Sequence, residues 1–280
     1  MLNTIKDSVT LSNGVKMPWV GLGVFQVEND LTVIDSVKAA IRNGYRSIDT
    51  AAIYENEEGV GQGIKEAMNE VGLSREELFI TSKLWNADQG YESTIAAFHE
   101  SLKRLDLEYL DLYLIHWPVE GKYTETWRAL ETLYLEGKVK AIGVSNFQIH
   151  HLEKLMTTSK IKPMINQVEL HPCLSQKSLR EFSKSQGIQI QAWAPLMQGQ
   201  LFEDVVLSSI AKKHGKSVAQ VVLRWHLQNE VVIIPKSIKE HRIQENADLF
   251  DFTLDQEDMK QINTLNQDKR VGPDPDNFDF

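Results

Sequence analysis

Four residues of this 280-residue chain have the types and spacing for proton transfer: Asp49, Tyr54, Lys83 and His116. The first two lie in Gly44-Tyr45-Arg46-Ser47-Ile48-Asp49-Thr50-Ala51-Ala52-Ile53-Tyr54, where a short run ends in an acid and a phenol follows five residues later. A phenol is a poor acid alone, with a reference pKa near ~10. Lys83 closes the run Phe79-Ile80-Thr81-Ser82, and His116 closes Leu112-Tyr113-Leu114-Ile115. A buried ammonium beside a phenol stabilises the phenolate and lowers the Tyr pKa. Asp49 can pair with that ammonium and keep it charged. His116 can hold or polarise a carbonyl oxygen from the other side. Together they make a general acid that gives a proton to a developing alkoxide. Singly, each has an ordinary explanation. Asp49 could cap a strand-to-helix junction, Lys83 could lay its stem along a rim, and His116 could be a core imidazole before Trp117-Pro118. Their coincidence at the ends of three successive runs favours the proton-transfer reading.

A proton donor for a carbonyl needs a hydride source, and no side chain supplies hydride; a nicotinamide is the usual answer. Two glycine clusters are not dinucleotide fingerprints. Gly21-Leu22-Gly23 has Gln26 at the third glycine position, and Gly59-Val60-Gly61-Gln62-Gly63 falls in a helical stretch. The better candidate is Ile233-Ile234-Pro235-Lys236-Ser237-Ile238-Lys239-Glu240-His241-Arg242. Two cations and a hydroxyl, Lys236, Arg242 and Ser237, suit a 2′-phosphate and hence NADP(H). A solvated basic helix start is the competing explanation. His150-His151 is adjacent rather than spaced for one helix face and reads as a surface feature at a helix N-terminus, so no metal is expected. No GxSxG or Cys-His nucleophile pattern is visible.

These residues need strands that end at one place. Apolar or β-branched runs recur at Trp19 to Leu22, Ser47-Ile48, Leu78 to Thr81, Leu110 to Ile115, Ala141 to Val144, Met164 to Val168, Ile188 to Ala192 and Val231 to Ile234. Helical patterns lie between them: Asp30 to Arg42, Glu57 to Val71, Tyr91 to Leu105, Thr124 to Glu136, Ile149 to Thr157, Gln176 to Gln186 and Ser217 to Asn229. An extra helix is expected from Glu203 to Gly215, a short one over His241 to Ala247, and a last one from Thr253 to about Leu265 with Gln256 in the capping-box position. Eight strand–helix repeats predict an α/β fold, a single-domain (β/α)8 TIM barrel over residues 1–280, rather than a doubly wound open sheet. Ser12-Asn13-Gly14 between Val9 to Leu11 and Val15 to Met17 predicts an N-terminal β-hairpin. Arg270 to Phe280, with two prolines, is expected to run irregularly over the surface as a short C-terminal tail. In such a barrel the strand C-termini share one mouth, so the four titratable residues can converge there.

Bulk properties narrow the function classes. Net charge is −9 and the pI about 5.4, with no basic run, which argues against nucleic acid and anionic membrane surfaces. No secretory signal or membrane-spanning run is visible. Cys173 is the single cysteine, compatible with a reducing compartment. A cytoplasmic protein is expected. The acidic surface and the lack of an exposed apolar stripe lean towards a monomer.

The motifs together resemble the aldo-keto reductase family. Those that carry the resemblance are Gly44 to Ala51 with Tyr54, Thr81-Ser82-Lys83-Leu84-Trp85, Leu112 to Pro118, Gly143-Val144-Ser145-Asn146-Phe147, Asn166-Gln167-Val168-Glu169 and Ile234-Pro235-Lys236-Ser237. The resemblance implies an NADPH-dependent carbonyl reductase with Tyr54 as proton donor, Lys83 and Asp49 as its pKa partners, and His116 orienting the carbonyl. It implies that Ser145, Asn146 and Gln167 hold the nicotinamide carboxamide and that Trp193, where family members can carry Tyr, stacks on the ring. It also implies a second contact for Asp49, to the nicotinamide ribose. Ala194 stands where Ser is common, so a hydroxyl contact to the pyrophosphate is missing, and the Leu196 to Leu201 loop, including Gln198 and Gly199, is expected to cover it. Gly23, Val24 and Phe25 complete the cofactor contacts, with Lys236, Ser237, Ile238 and Arg242 around the 2′-phosphate and Glu245 and Asn246 at the adenine. The chain looks most like short bacterial members described as glyoxal or methylglyoxal reductases, in its Gly272-Pro273-Asp274-Pro275 tail as well. Trp19, Phe25, Trp85 and Trp117, with Tyr54 and His116, are expected to line an apolar, fairly open pocket for a small-molecule carbonyl substrate. Such a pocket should reduce small aldehydes and 2-oxoaldehydes with little discrimination. Two alternatives are reduction of another carbonyl, such as a keto-sugar acid, and a redox-sensing subunit that binds NADPH without turnover.

Overall fold

A computed structural model describes residues 2–280. The strands β1 (Ser8–Thr10) and β2 (Lys16–Pro18) pair antiparallel as the expected hairpin. Asn13 ties its turn to the bottom of the barrel by donating to the Lys140 carbonyl at 2.9 Å.

Eight parallel strands follow in chain order: β3 (Leu22–Gly23), β4 (Ser47–Asp49), β5 (Phe79–Leu84), β6 (Leu110–Ile115), β7 (Val139–Ser145), β8 (Ile165–Glu169), β9 (Gln189–Trp193) and β10 (Val232–Ile233). Single bridges, Val20 to Ile233 and Gly23 to Lys236, close the ring between the first and last. Close approach at this seam requires glycine, because a Cβ on Gly23 would sit 2.9 Å from the Ile234 carbonyl oxygen. Every residue of β5 and β6 is buried, as strands covered on both faces demand. Several strands run one to three residues further than the apolar runs, taking Asp49, Lys83, Ser145 and Glu169 into the sheet. Polar side chains thus form the top layer of the barrel interior.

Among the described residues, ten helices surround the ring: α1 (Leu31–Arg42), α2 (Glu57–Val71), α3 (Tyr91–Leu105), α4 (Tyr123–Leu135), α5 (Ile149–Met156), α6 (Lys177–Gln186), α7 (Val205–His214), α8 (Val218–Gln228), α9 (Glu240–Ala247) and α10 (Gln256–Asn263). The extra helix between the seventh and eighth barrel strands is α7. Ser217 and Gln220 form the capping box at α8. The last helix opens later than expected. Asp255, not Thr253, is its N-cap, with Asp258 in the box. The reason is tertiary: Gln228 of α8 clamps both main-chain groups of Leu254 (2.8 and 2.9 Å), which holds that stretch extended.

His226, fully buried on α8, bears on stability. Burial lowers its pKa from 6.5 to about 4, although the Leu170 and Val222 carbonyls facing its two ring nitrogens, only one of which a neutral ring can donate to, pull the other way. Below pH 6.5 the unfolded chain takes up a proton that the folded protein refuses until about pH 4. The unfolded state therefore binds more protons in that window, and stability falls as pH falls. Urea unfolding at pH 7 and pH 5 should show His226→Gln losing about 2 kcal/mol less than the wild type between the two, at ~1.36 kcal/mol per pH unit. Equal losses would remove His226 from the account.

Candidate active site

Lys83 is the centre of the site. Alternation along β5 turns Ser82 outward, where it donates to Glu57 at 2.6 Å, and Lys83 inward. The Lys83 side chain is fully buried. Its Nζ donates to Asp49 Oδ1 at 2.5 Å, the Thr50 carbonyl at 2.9 Å and the Tyr54 hydroxyl oxygen at 3.3 Å. An ammonium has three N–H donors, and all three are used. Both Asp49 oxygens face donors, since Oδ2 accepts from Gln167 Nε2 at 2.7 Å. A protonated Asp49 would have no acceptor there. The pair is therefore ionic. Burial opposes the charge on Lys83, but Asp49 and Tyr54 carry its pKa above the ordinary value.

Tyr54 ends a single 3-10 turn, Ala52–Tyr54, that follows β4. Burial raises its pKa, Lys83 pulls it down and Asp49 pushes it up; the net shift is upward. The phenol is thus protonated at neutral pH. Because its oxygen already accepts from Lys83, its own O–H is free to point into the mouth. His116 stands opposite, its ring edge-on to Tyr54 at 5.8 Å and to Trp85 at 5.4 Å. Burial and the Lys83 charge hold its pKa well below 6.5, so the imidazole is neutral. Its Nδ1 is buried without a partner.

A cavity of about 1140 Å³ runs over this group. Phe25, Trp85 and Trp117 form apolar walls around Tyr54 and His116. The pocket is less open than the sequence implied, because the tail does not simply cross the surface. Phe280 stacks on Trp85 (5.8 Å between centroids, 5° between planes), and both Phe278 and Phe280 lie 5.2 Å from Trp117. Sequence reasoning missed both residues. Their signal was two aromatics among polar neighbours in the last three positions, which periodicity cannot read.

Towards the other side, Ser145 at the end of β7, Asn146 just after it and Gln167 within β8 form a polar shelf beside Asp49, the last two supplying amides. Asn146 Nδ2 donates to the His116 carbonyl at 3.0 Å, and its Oδ1 accepts from Trp193 Nε1 at 2.8 Å. Trp193 forms the next wall. Beyond it, Ala194, Met197 and Gln198 all hold left-handed backbone (φ 46°, 49° and 55°) in a loop with Leu196 and Gly199. At the far end are Gly23, Lys236, Ser237, Ile238, Arg242, Glu245 and Asn246. Lys236 and Arg242 are exposed there, close to the start of α9, where helix N–H groups favour an anion. An amide shelf at one end and two exposed cations at the other fit a phosphorylated dinucleotide, and the cavity far exceeds the volume of a small carbonyl compound.

Two of the expected contacts lie elsewhere. Trp19 does not line the cavity: it lies in a bend ahead of β3, on the side from which the chain enters that strand. There it pairs with the hairpin and the last strand, donating to the Asp7 carbonyl and accepting from Ile233 N. Val24 is wholly buried in the core, its carbonyl bound by Asn56. Among the described residues, one group of metal-ligand type occurs, His150, His151 and Asp276. His151 Nδ1 accepts the Gln148 N–H as part of the α5 cap, so its Nε2 carries a proton and offers no lone pair to a cation.

An eight-stranded parallel barrel with a buried lysine–aspartate pair beneath a phenol has the fold and the titratable groups of an enzyme site at its mouth. The sequence model of the Aldo/keto reductase family matches residues 20–267, and the chain belongs to that family. It is 68% identical over 280 residues to glyoxal reductase of Bacillus subtilis, covering all of both chains. Identity to methylglyoxal reductase DkgA of Escherichia coli is 48%, over 96% of this chain and 97% of the relative. A Bombyx mori aldo-keto reductase in complex with NADP superposes with a TM-score of 0.91 at 38% identity, over 99% of this chain and 97% of that one. The chain is thus a carbonyl-reducing oxidoreductase. Among the described residues, no helix is long and apolar enough to cross a membrane.

Proposed function

We propose that this protein uses NADPH to reduce small aldehydes and 2-oxoaldehydes of the glyoxal and methylglyoxal type to alcohols, with Tyr54 as the proton donor. The observation that carries the reading is the geometry at Lys83. Its three N–H groups are taken by Asp49, Thr50 and Tyr54, which leaves the Tyr54 hydroxyl hydrogen for the substrate oxygen. Bound NADPH supplies the hydride that the carbonyl carbon receives. Lys83 stabilises the phenolate left after proton release. His116, neutral, can direct an N–H at the same oxygen. Ser145, Asn146 and Gln167 are read as the carboxamide clamp, Trp193 as the stacking partner, and Lys236 and Arg242 as the 2′-phosphate contacts.

The relatives named for glyoxal and methylglyoxal support the substrate class. So does the aromatic substrate end, where Phe25, Trp85, Trp117 and Phe280 offer an apolar lining suited to a small carbonyl compound. The connected hydrophobic core supports one domain over residues 1–280, because a second domain would need a core of its own. We read it as a cytoplasmic monomer. The test is a steady-state rate with methylglyoxal, NADPH against NADH. Turnover should be fast with NADPH, and the double variant Lys236→Ala, Arg242→Ala should weaken NADPH about 100-fold while sparing NADH, as expected for charge-assisted bonds lost to a phosphate. Equal losses for both cofactors overturn the 2′-phosphate assignment, and binding without turnover points to the sensing subunit.

A further inference from the structure

Glu169 and His171 form a buried pair at the barrel mouth that proton transfer does not use. Both side chains are fully buried, with His171 Nε2 at 2.9 Å from Glu169 Oε1. The Glu169 carboxylate also accepts from the main-chain N–H of Val271 at 2.6 Å and of Gly272 at 3.1 Å. A buried carboxylate is costly unless several donors meet it, and here three do. The outcome is that a strand-end acid grips the backbone of the tail.

What the grip holds in place is visible at Gly272. A Cβ there would lie 2.4 Å from Trp193 Cη2, 3.1 Å from Cζ3 and 3.2 Å from Glu169 Oε2. The bare glycine backbone therefore lies close against the Cη2–Cζ3 part of the indole's six-membered ring, with no room for a side chain between them. The opposite edge of the same indole is fixed as well, through its N–H to Asn146. Trp193 and Glu169 face each other in register across β8 and β9. The indole is therefore clamped between the tail and the amide shelf. We propose that Val271 and Gly272, gripped by Glu169, form the backing of the cofactor's stacking platform, with Glu169 a positioning residue for NADPH binding. The inference rests on the reading of Trp193 as the ring that stacks on the nicotinamide. A phenol in its place would offer neither the N–H for Asn146 nor the second ring for Gly272 to back. Clamping the indole before the cofactor arrives removes an ordering cost from binding.

Calorimetric NADPH titration of Gly272→Ala and Glu169→Gln, each in the Trp193 and in the Trp193→Tyr background, tests this. With Trp193 present, each substitution should weaken NADPH about tenfold, and in the Trp193→Tyr background by less than about twofold, the non-additivity expected of groups in contact. The KM for NADPH should rise with it, while kcat at saturating NADPH changes less. Thermal unfolding of the same proteins separates a folding defect, which would lower the melting temperature and leave the Kd of the folded fraction unchanged. If Gly272→Ala does not fold, the Glu169→Gln pair decides alone. Unchanged NADPH affinity in the Trp193 background, or equal losses in both backgrounds, would overturn the proposal. A Trp193→Ala protein that binds NADPH normally would instead strike the stacking reading beneath it.

Discussion

Lys83→Met should cost this protein turnover and stability together. The methionine fills much of the space but donates nothing to Asp49, Thr50 or Tyr54. Asp49, buried and ionised, keeps Gln167 as its single side-chain donor. Removing one partner of a buried pair typically destabilises by about 3–5 kcal/mol, because the remaining charge is stranded. The phenol suffers separately. Lys83 is the charge that draws its pKa down, so its loss leaves a weaker acid. We expect kcat to fall at least about 100-fold, the lower range for a general acid. Adding Asp49→Asn to Lys83→Met should restore most of the stability and none of the turnover, since no stranded charge remains. Urea denaturation and methylglyoxal turnover on the single and double variants read this out. If the double variant is no more stable than the single, Asp49 is not the stranded charge.

Tyr54→Phe should separate chemistry from binding. The substitution removes one hydroxyl whose contact with the protein is a 3.3 Å bond from Lys83. That nitrogen keeps its two shorter bonds, so stability should change by no more than about 1 kcal/mol. The amide shelf, Trp193 and the cationic end are untouched, so NADPH should bind as before. Turnover should fall by about 10²–10⁴, the contribution of a positioned proton donor. A near-normal kcat in this variant would mean that another group, His116 or solvent, delivers the proton.

The residues that make these tests possible were readable in the sequence for a physical reason. A parallel strand buried on both faces must be apolar along its length, so a titratable residue at its end stands out. Asp49, Lys83 and His116 each stood at such an end, and the shared direction of the strands brought them together. Trp19 misled because an aromatic beside a strand carries no mark of which end it occupies. The start of α10 was set by Gln228 from another helix, a contact that local capping signals cannot encode. The tail escaped for the same reason: it has no period, and Phe278, Phe280 and Gly272 take their places from Trp117, Trp85 and Trp193, all far away in sequence.

The seam between the first and last barrel strands has a consequence for the newborn chain. Val20 and Ile233 lie more than two hundred residues apart, yet their bridge shuts the ring. Contacts that span such a separation form late, because loop closure must be met before they repay it. Neighbouring strands β4, β5 and β6 can gather Asp49, Tyr54, Lys83 and His116 well before that. Gly23 and Lys236, by contrast, meet across the seam itself. If they flank the cofactor as proposed, a half-made barrel can own its acid and still lack a floor for the reductant. Redox chemistry would then switch on at closure, and a chain stalled in folding would stay chemically silent.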